Sequence, residues 1–176
     1  MIHLPDFTID EFKMAAIQRS DQAFVFEGLS HPQVIPFYGV SYRSYEATAA
    51  QMDFYEQLLS DGTGGWWKIT DNSSGKMVGA CGCNNFQHKH EKIEIGYWLL
   101  PDHWGKGIMR KVLPELLLQM TRIWKLHRVE AWVESGNDSS MRLLEYCGFN
   151  CEGLLKDTEI KNDKRISLYI YAKILE

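Results

Sequence analysis

Between Glu94 and Arg110 the chain reads Glu-Ile-Gly-Tyr-Trp-Leu-Leu-Pro-Asp-His-Trp-Gly-Lys-Gly-Ile-Met-Arg, an alternating strand that runs through a proline and two glycines into an amphipathic helix. The pattern predicts an anion site at the bend. Without side chains at Gly105 and Gly107, backbone N–H groups can approach a bulky oxyanion, and the first turn of the helix adds free donors and the positive end of its dipole. Lys106 and Arg110 at a helix start would oppose that dipole unless an anion were bound there. A phosphate-bearing ligand is implied.

The spacing excludes two common phosphate binders. A dinucleotide fingerprint needs a third glycine where Arg110 stands, and a Walker A loop needs Gly-Lys-Ser/Thr after four intervening residues. The segment instead resembles the pyrophosphate loop of the GNAT acyltransferase superfamily, Gln/Arg-x-x-Gly-x-Gly/Ala at the start of a helix, which holds coenzyme A. Here it is Asp102-His-Trp-Gly105-Lys-Gly107, with Asp102 in place of the usual Gln or Arg. The preceding Glu-Ile-Gly-Tyr-Trp-Leu is similar to the ribosomal-protein N-terminal acetyltransferases of the RimL and RimJ type, a branch that tolerates an acidic residue at that place.

At 176 residues the chain suffices for one core, burying about 70% of its unfolded surface, so residues 1–176 are expected to form a single domain. The net charge of -4 argues against a general nucleic-acid or anionic-membrane surface, since both need a positive field. The opening Met-Ile-His-Leu-Pro-Asp lacks a basic, then apolar, leader, and no run reaches ~18 apolar residues, so a cytoplasmic location is expected. No metal is expected. Cys81 and Cys83 lie in a strand-like run, Cys147 closes a helix with Cys151 beyond it, and His88 and His90 fall in a polar hairpin loop.

Periodicity predicts a strand at Phe12 to Ile17, helices at Asp21 to Leu29 and Tyr45 to Leu59, and paired strands at Trp66 to Thr70 and Met77 to Phe86 across Asp-Asn-Ser-Ser-Gly. Ile93 to Leu100 is a strand, and Ile108, Met109, Val112, Leu113, Leu116, Leu117, Met120, Ile123 and Trp124 mark one face of a long helix, with a kink expected at Pro114. Arg128 to Glu134 reads as a strand and Asn137 to Cys147 as a helix stopped by Gly148. A hairpin of Phe149 to Glu159 and Arg165 to Ile174 follows, the last strand burying only the face of Ile166, Leu168, Ile170, Ala172 and Ile174. The order is α+β, and the resemblance implies the GNAT fold: a mixed, mostly antiparallel sheet of about seven strands with a splayed pair, flanked by about four helices.

In that superfamily the pantetheine arm lies in the gap between the splayed strands. The resemblance thus assigns the coenzyme to Gly105, Lys106, Gly107, Ile108, Met109 and Arg110 at the pyrophosphate, with Trp98, Leu99 and Leu100 along the arm. Glu94, six residues before Leu100 and hence about 20 Å upstream, falls near the thioester.

Acetyl transfer to an amine needs a group to take the ammonium proton and another to support the leaving thiolate. Many members place a tyrosine seven residues after the Asn of the next helix, where this chain has Leu144, while Tyr146 is out of register. The RimL-like branch carries a serine three residues after that Asn, which makes Ser140 the candidate donor to the thiolate and Asn137 a candidate coenzyme contact. An N-cap role for Asn137 is equally consistent with its place. The run Glu152-Gly-Leu-Leu-Lys-Asp-Thr-Glu159-Ile-Lys-Asn-Asp163 matches the branch's pattern and makes Glu159 a base acting through water. Glu94, a carboxylate within a central strand on the face of Gly96 and Trp98, is the competing base.

These residues together imply an acetyl-CoA-dependent N-acetyltransferase working by direct attack in a ternary complex, on a protein or peptide N-terminal α-amine. A small-molecule amine such as an antibiotic, amino acid or polyamine is the alternative, and a non-catalytic acyl-CoA sensor is a reading from another class. Aromatic residues Phe37, Tyr38, Tyr42 and Tyr45 between the two early helices are candidates to line the acceptor cleft, although packing explains them as well. A homodimer stays open.

Overall fold

The structure, a computed structural model, describes residues 2–175. Eight strands form one sheet: β1 (Phe7–Ile9), β2 (Phe12–Ala16), β3 (Gly65–Asp71), β4 (Met77–Gln87), β5 (Lys92–Leu99), β6 (Arg128–Glu134), β7 (Asn150–Lys161) and β8 (Lys164–Ile174). Their spatial order is β1-β2-β3-β4-β5-β6-β8-β7, and every neighbouring pair is antiparallel except β5 and β6. The helices are α1 (Gln22–Ser30), α2 (Ala49–Asp61), α3 (Ile108–Ile123) and α4 (Asp138–Tyr146).

Strand alternation sorts the side chains into two cores, one on each face of the sheet. Ile93 and Ile95 of β5 point into a core with Val112, Leu113, Leu116 and Met120 of α3 and Leu144 of α4. Trp98 points the other way, among Phe24, Val25 and Leu29 of α1 and Met52, Tyr55 and Leu58 of α2. The buried face of α3 is the one its three- and four-residue spacing predicts. The helix is continuous through Pro114, whose ring is exposed, so the missing N–H falls on the solvent side. The β3–β4 turn is fixed by Asp71, whose carboxylate accepts from the Ser73 amide and from the Ser73 and Ser74 hydroxyls; these bonds hold it below the usual carboxylate range.

Three expectations change. An eighth strand, β1, pairs with β2 through only three residues, too few to give a periodic signal. Helix α2 begins at Ala49, because Glu46–Thr48 form a tighter 3-10 turn closed by the Thr48 hydroxyl donating to the Ser44 carbonyl. Strand β8 is covered on both faces: Leu168 and Ala172 are buried as expected, but so is Tyr171, which joins the α3 and α4 core and donates from its hydroxyl to Glu145.

Trp98 ties the central strand to α1. A Cβ at position 28 would overlap its ring, which is 4% exposed and packed among α1 and α2 side chains. Gly28→Ala is therefore expected to lower stability by about 1–2 kcal/mol net of the helix propensity it gains. An unchanged urea midpoint would show that the ring yields without cost.

Candidate active site

The parallel pairing of β5 with β6 lasts for three rungs, Lys92 with Arg128, Ile93 with Val129 and Glu94 with Glu130. Beyond them β5 continues to Leu99 and β6 to Glu134 without pairing to each other, so a gap opens from Glu94 onward. The closed end is held electrostatically. Glu130 is 9% exposed and accepts from Lys92 on β5 at 3.2 Å and from Arg128 at 2.6 Å, and Arg128 continues to Glu152 on β7 at 2.9 Å. A buried carboxylate with two cations is satisfied, and losing either would leave it costly.

Backbone groups on the β5 edge alternate between the gap and β4. The Leu100 amide donates to the Val78 carbonyl of β4, and the Leu100 carbonyl accepts from the His103 amide. By the same parity Trp98 faces β4, and its side chain lies under α1. Of the three residues 98–100 expected along an arm in the gap, only Leu99 turns its backbone to that side, with Tyr97 on the same edge. The Leu99 carbonyl already accepts from the indole of Trp104 at 2.8 Å.

At the open end, Gly105 and Gly107 have φ of 71° and 74°, and a Cβ on either would meet nothing within 4 Å. The glycines are required by backbone conformation, and the space beside them is open. Gly107 is the N-cap of α3 and supplies no side-chain cap; its carbonyl accepts from the Arg110 and Lys111 amides, while the Ile108 and Met109 amides begin the helix ahead of these bonds. The side chains of Ile108 and Met109 are buried, so these residues offer only backbone. Lys106 is exposed, and the Arg110 guanidinium lies over the Tyr146 ring, 4.8 Å from its centroid. This end fits a pyrophosphate: uncapped donors, a helix dipole and room.

The candidate catalytic side chains stand on opposite faces of the gap. On the α1 and α2 face, Glu94 is half-buried and accepts from the Asn85 amide at 3.0 Å. Asn85 reaches it from a bulge in β4 between Asn84 and Gln87. Burial raises the Glu94 pKa, against the Asn85 bond, and the negative charges of Glu130 and Glu159 raise it further. Glu159 itself is exposed on β7, directly after a register break between Leu155 and Glu159. The structure therefore brings both proposed bases into one electrostatic neighbourhood. Asn85, Lys92, Glu94, Glu130 and Trp132 line a cleft of ≈ 440 Å³.

On the α3 and α4 face, the Ser140 hydroxyl is 2.6 Å from the Tyr97 hydroxyl. Asn137 caps α4, its side-chain oxygen accepting from the Ser140 amide at 3.3 Å and the Ser139 hydroxyl at 3.1 Å, which leaves its Nδ2 for any ligand. Leu144 is fully buried in the core, and Tyr146 is exposed beneath Arg110. Of the four aromatic residues before α2, Tyr38 places its hydroxyl 4.0 Å from where a Cβ on Gly96 would stand, and Phe37 lies against Gly136 beyond β6. Tyr42 donates to Gln51, and Tyr45, largely exposed, meets Phe26 edge-on.

The family model for the "Acetyltransferase (GNAT) domain" matches residues 12–150. The chain belongs to the GNAT acetyltransferase family. Its sequence is 30% identical over 101 residues to a ribosomal-protein-serine acetyltransferase of Escherichia coli, covering 57% of this chain and 56% of that one. Its fold matches, at 22% identity and TM-score 0.86, an acetyltransferase of Salmonella typhimurium that modifies the N-terminal serine of ribosomal protein L7/L12, covering 98% of this chain and 99% of that one. It also matches a spermidine N-acetyltransferase of Vibrio cholerae, solved with coenzyme A and spermine, at 20% identity and TM-score 0.82, covering 94% and 96%. As a GNAT acetyltransferase, the protein uses acetyl-CoA as its expected co-substrate.

Sequence reading missed Tyr97, Lys92, Asn85, Glu130 and Trp132. Period-two alternation from Glu94 does set Tyr97 on the opposite face, but its meeting with a residue 43 positions away is a tertiary fact. Gly107→Val is expected to weaken coenzyme A binding by at least tenfold and to cost about 1–2 kcal/mol of stability from the left-handed backbone. Calorimetry finding the original affinity would remove the pyrophosphate from this loop.

Proposed function

We propose that the protein transfers the acetyl group of acetyl-CoA to the α-amine of a protein or peptide N-terminus, the whole chain acting as one catalytic domain. The observation that carries this reading is the gap between β5 and β6, with a carboxylate of raised pKa on one face and a hydroxyl on the other. In it, the amides from Gly105 to Met109 hold the pyrophosphate, and the free edge of β5 at Tyr97 and Leu99 binds the pantetheine arm. Lys106 and Arg110 balance its charge. The bound thioester supplies the activated acetyl group.

The amine enters from the face of α1 and α2. Glu94, directly or through a water, takes the ammonium proton, and the freed nitrogen attacks the thioester carbonyl. As the C–S bond breaks, the nitrogen gives up its second proton to the departing sulfur through solvent, and Ser140 donates a hydrogen bond to that sulfur from the other face. Glu94 is favoured over Glu159 as the base because it is the one half-buried at the apex of the gap. A raised carboxylate pKa narrows the distance to its proton donor. An α-amine, near pKa 7.8, is easier to deprotonate at neutral pH than an amine near 10.4 by about 3.5 kcal/mol.

A polyamine acceptor is the second reading, since Glu94, Glu130, Glu134 and Glu159 form an acidic wall. Half of that wall, Glu130 and Glu134, is already neutralised, however. Lys92 and Arg128 pair with Glu130, and Lys161 pairs with Glu134, so three cations stand where a polycation would have to pass.

A base must be ionised to act, so kcat/KM for a peptide with a free N-terminal serine should fall as pH drops through the Glu94 pKa. That limb should sit above the ordinary carboxylate range of about 4.3. Glu94→Gln should remove the limb and lower the rate by about 10²- to 10⁴-fold. An active Glu94→Gln beside a dead Glu159→Gln would move the base to β7, and faster turnover of spermidine than of the peptide would favour the polyamine reading.

A further inference from the structure

Tyr97 has no part in the hydrogen-transfer scheme above, yet its side chain is half-buried and the one hydrogen-bond partner of its hydroxyl among the described residues is Ser140. Ser140 is only half-buried, at the first turn of α4 beside the gap. A serine at such a position ordinarily turns its hydroxyl back onto a carbonyl three or four residues earlier. Here its oxygen is held across the fold by the strand instead.

The direction of this bond follows from what each hydroxyl has left. If Ser140 donated to Tyr97, the phenolic proton would have no protein acceptor among the described residues, leaving a half-buried donor unpaired. If Tyr97 donates, the phenol is satisfied and the serine proton stays free on the side open to the gap. A phenol is also the stronger donor of the two. Burial keeps it protonated: desolvation pushes the Tyr97 pKa far above its ordinary value, against the lowering effect of the Ser140 bond.

We propose that Tyr97 is a positioning residue that donates to Ser140 and so aims the serine's proton at the sulfur leaving the acyl group. The proposal rests on the reading of Ser140 as the donor to that sulfur. No net proton transfer from Tyr97 is involved. Its ring packs against the α3 and α4 core, so Tyr97→Phe keeps the packing and removes only the hydroxyl.

The test is a double-mutant cycle of Tyr97→Phe and Ser140→Ala, assayed with acetyl-CoA and a peptide bearing a free N-terminal serine, with acetyl-CoA affinity measured by calorimetry. Tyr97→Phe should lower kcat by about tenfold, the worth of one net hydrogen bond, with unchanged acetyl-CoA affinity. In the Ser140→Ala background it should have no further effect on kcat. The proposal is overturned by wild-type kcat in Tyr97→Phe, or by an equal loss in both backgrounds, which would make Tyr97 merely structural. Wild-type kcat in Ser140→Ala alone is a separate result: it removes the serine from the reaction, and Tyr97's role with it.

Discussion

Three rungs of parallel pairing, and their abrupt end, govern this molecule. Had β5 and β6 paired along their length, the edges of Tyr97 and Leu99 would be spent on a neighbouring strand, and no channel would connect the faces of the sheet. The pairing stops at Glu94 and Glu130. Immediately at the stop, Lys92 and Arg128 grip Glu130 from two strands. That ion cluster pins the closed end while the antiparallel partners, β4 on one side and β8 on the other, carry the strands apart. The gap is thus built into the hydrogen-bonding pattern and needs no rearrangement to form.

A sheet with a hole in it has two chemically different sides. The side of α3 and α4 presents a helix start with free amides, two cationic side chains and neutral hydroxyls, a setting suited to a phosphorylated coenzyme. The side of α1 and α2 presents carboxylates, of which Glu94 and Glu159 have no cation within salt-bridge distance among the described residues. The proposed attack from one side and departure toward the other use this separation, which keeps Glu94 and Ser140 apart across the strand plane. Lys161 closes the outer end, bonding Glu134 and the Pro36 carbonyl, and so joins β7 to the segment that carries Phe37 and Tyr38.

Much of this was legible in the order of residues. Strand β6 is found where alternation puts it, from Arg128 to Glu134, and α3 buries the predicted stripe. The loop at Gly105 and Gly107 has the left-handed backbone its glycines suggest. What escaped prediction depends on residues distant in sequence. The bulge that turns Asn85 onto Glu94 breaks the very alternation by which a strand is read. Tyr171 is polar enough to be assigned to solvent, yet α4 covers it and Glu145 satisfies its hydroxyl. The resemblance set Leu100 along the arm with Trp98 and Leu99, but which edge a backbone amide faces depends on register with β4, and register is not written in β5 alone.

Strand β5 carries these demands together by alternation. Odd positions Ile93, Ile95, Tyr97 and Leu99 face α3 and α4, the first two as core and the last two beside the gap. Even positions Glu94, Gly96 and Trp98, and Leu100 just past the strand, face α1 and α2. Gly96 has to be small, because a Cβ there would press on the Trp66 ring. Trp98 fixes the strand's height against α1 through the close approach at Gly28. A one-residue slip of β5 against β4 would exchange the faces, turning Glu94 into the core and Tyr97 away from Ser140. Trp98 would then lose its slot beneath α1, and that packing penalty protects the register on which the chemistry depends. Packing and catalysis therefore constrain the same strand through different residues.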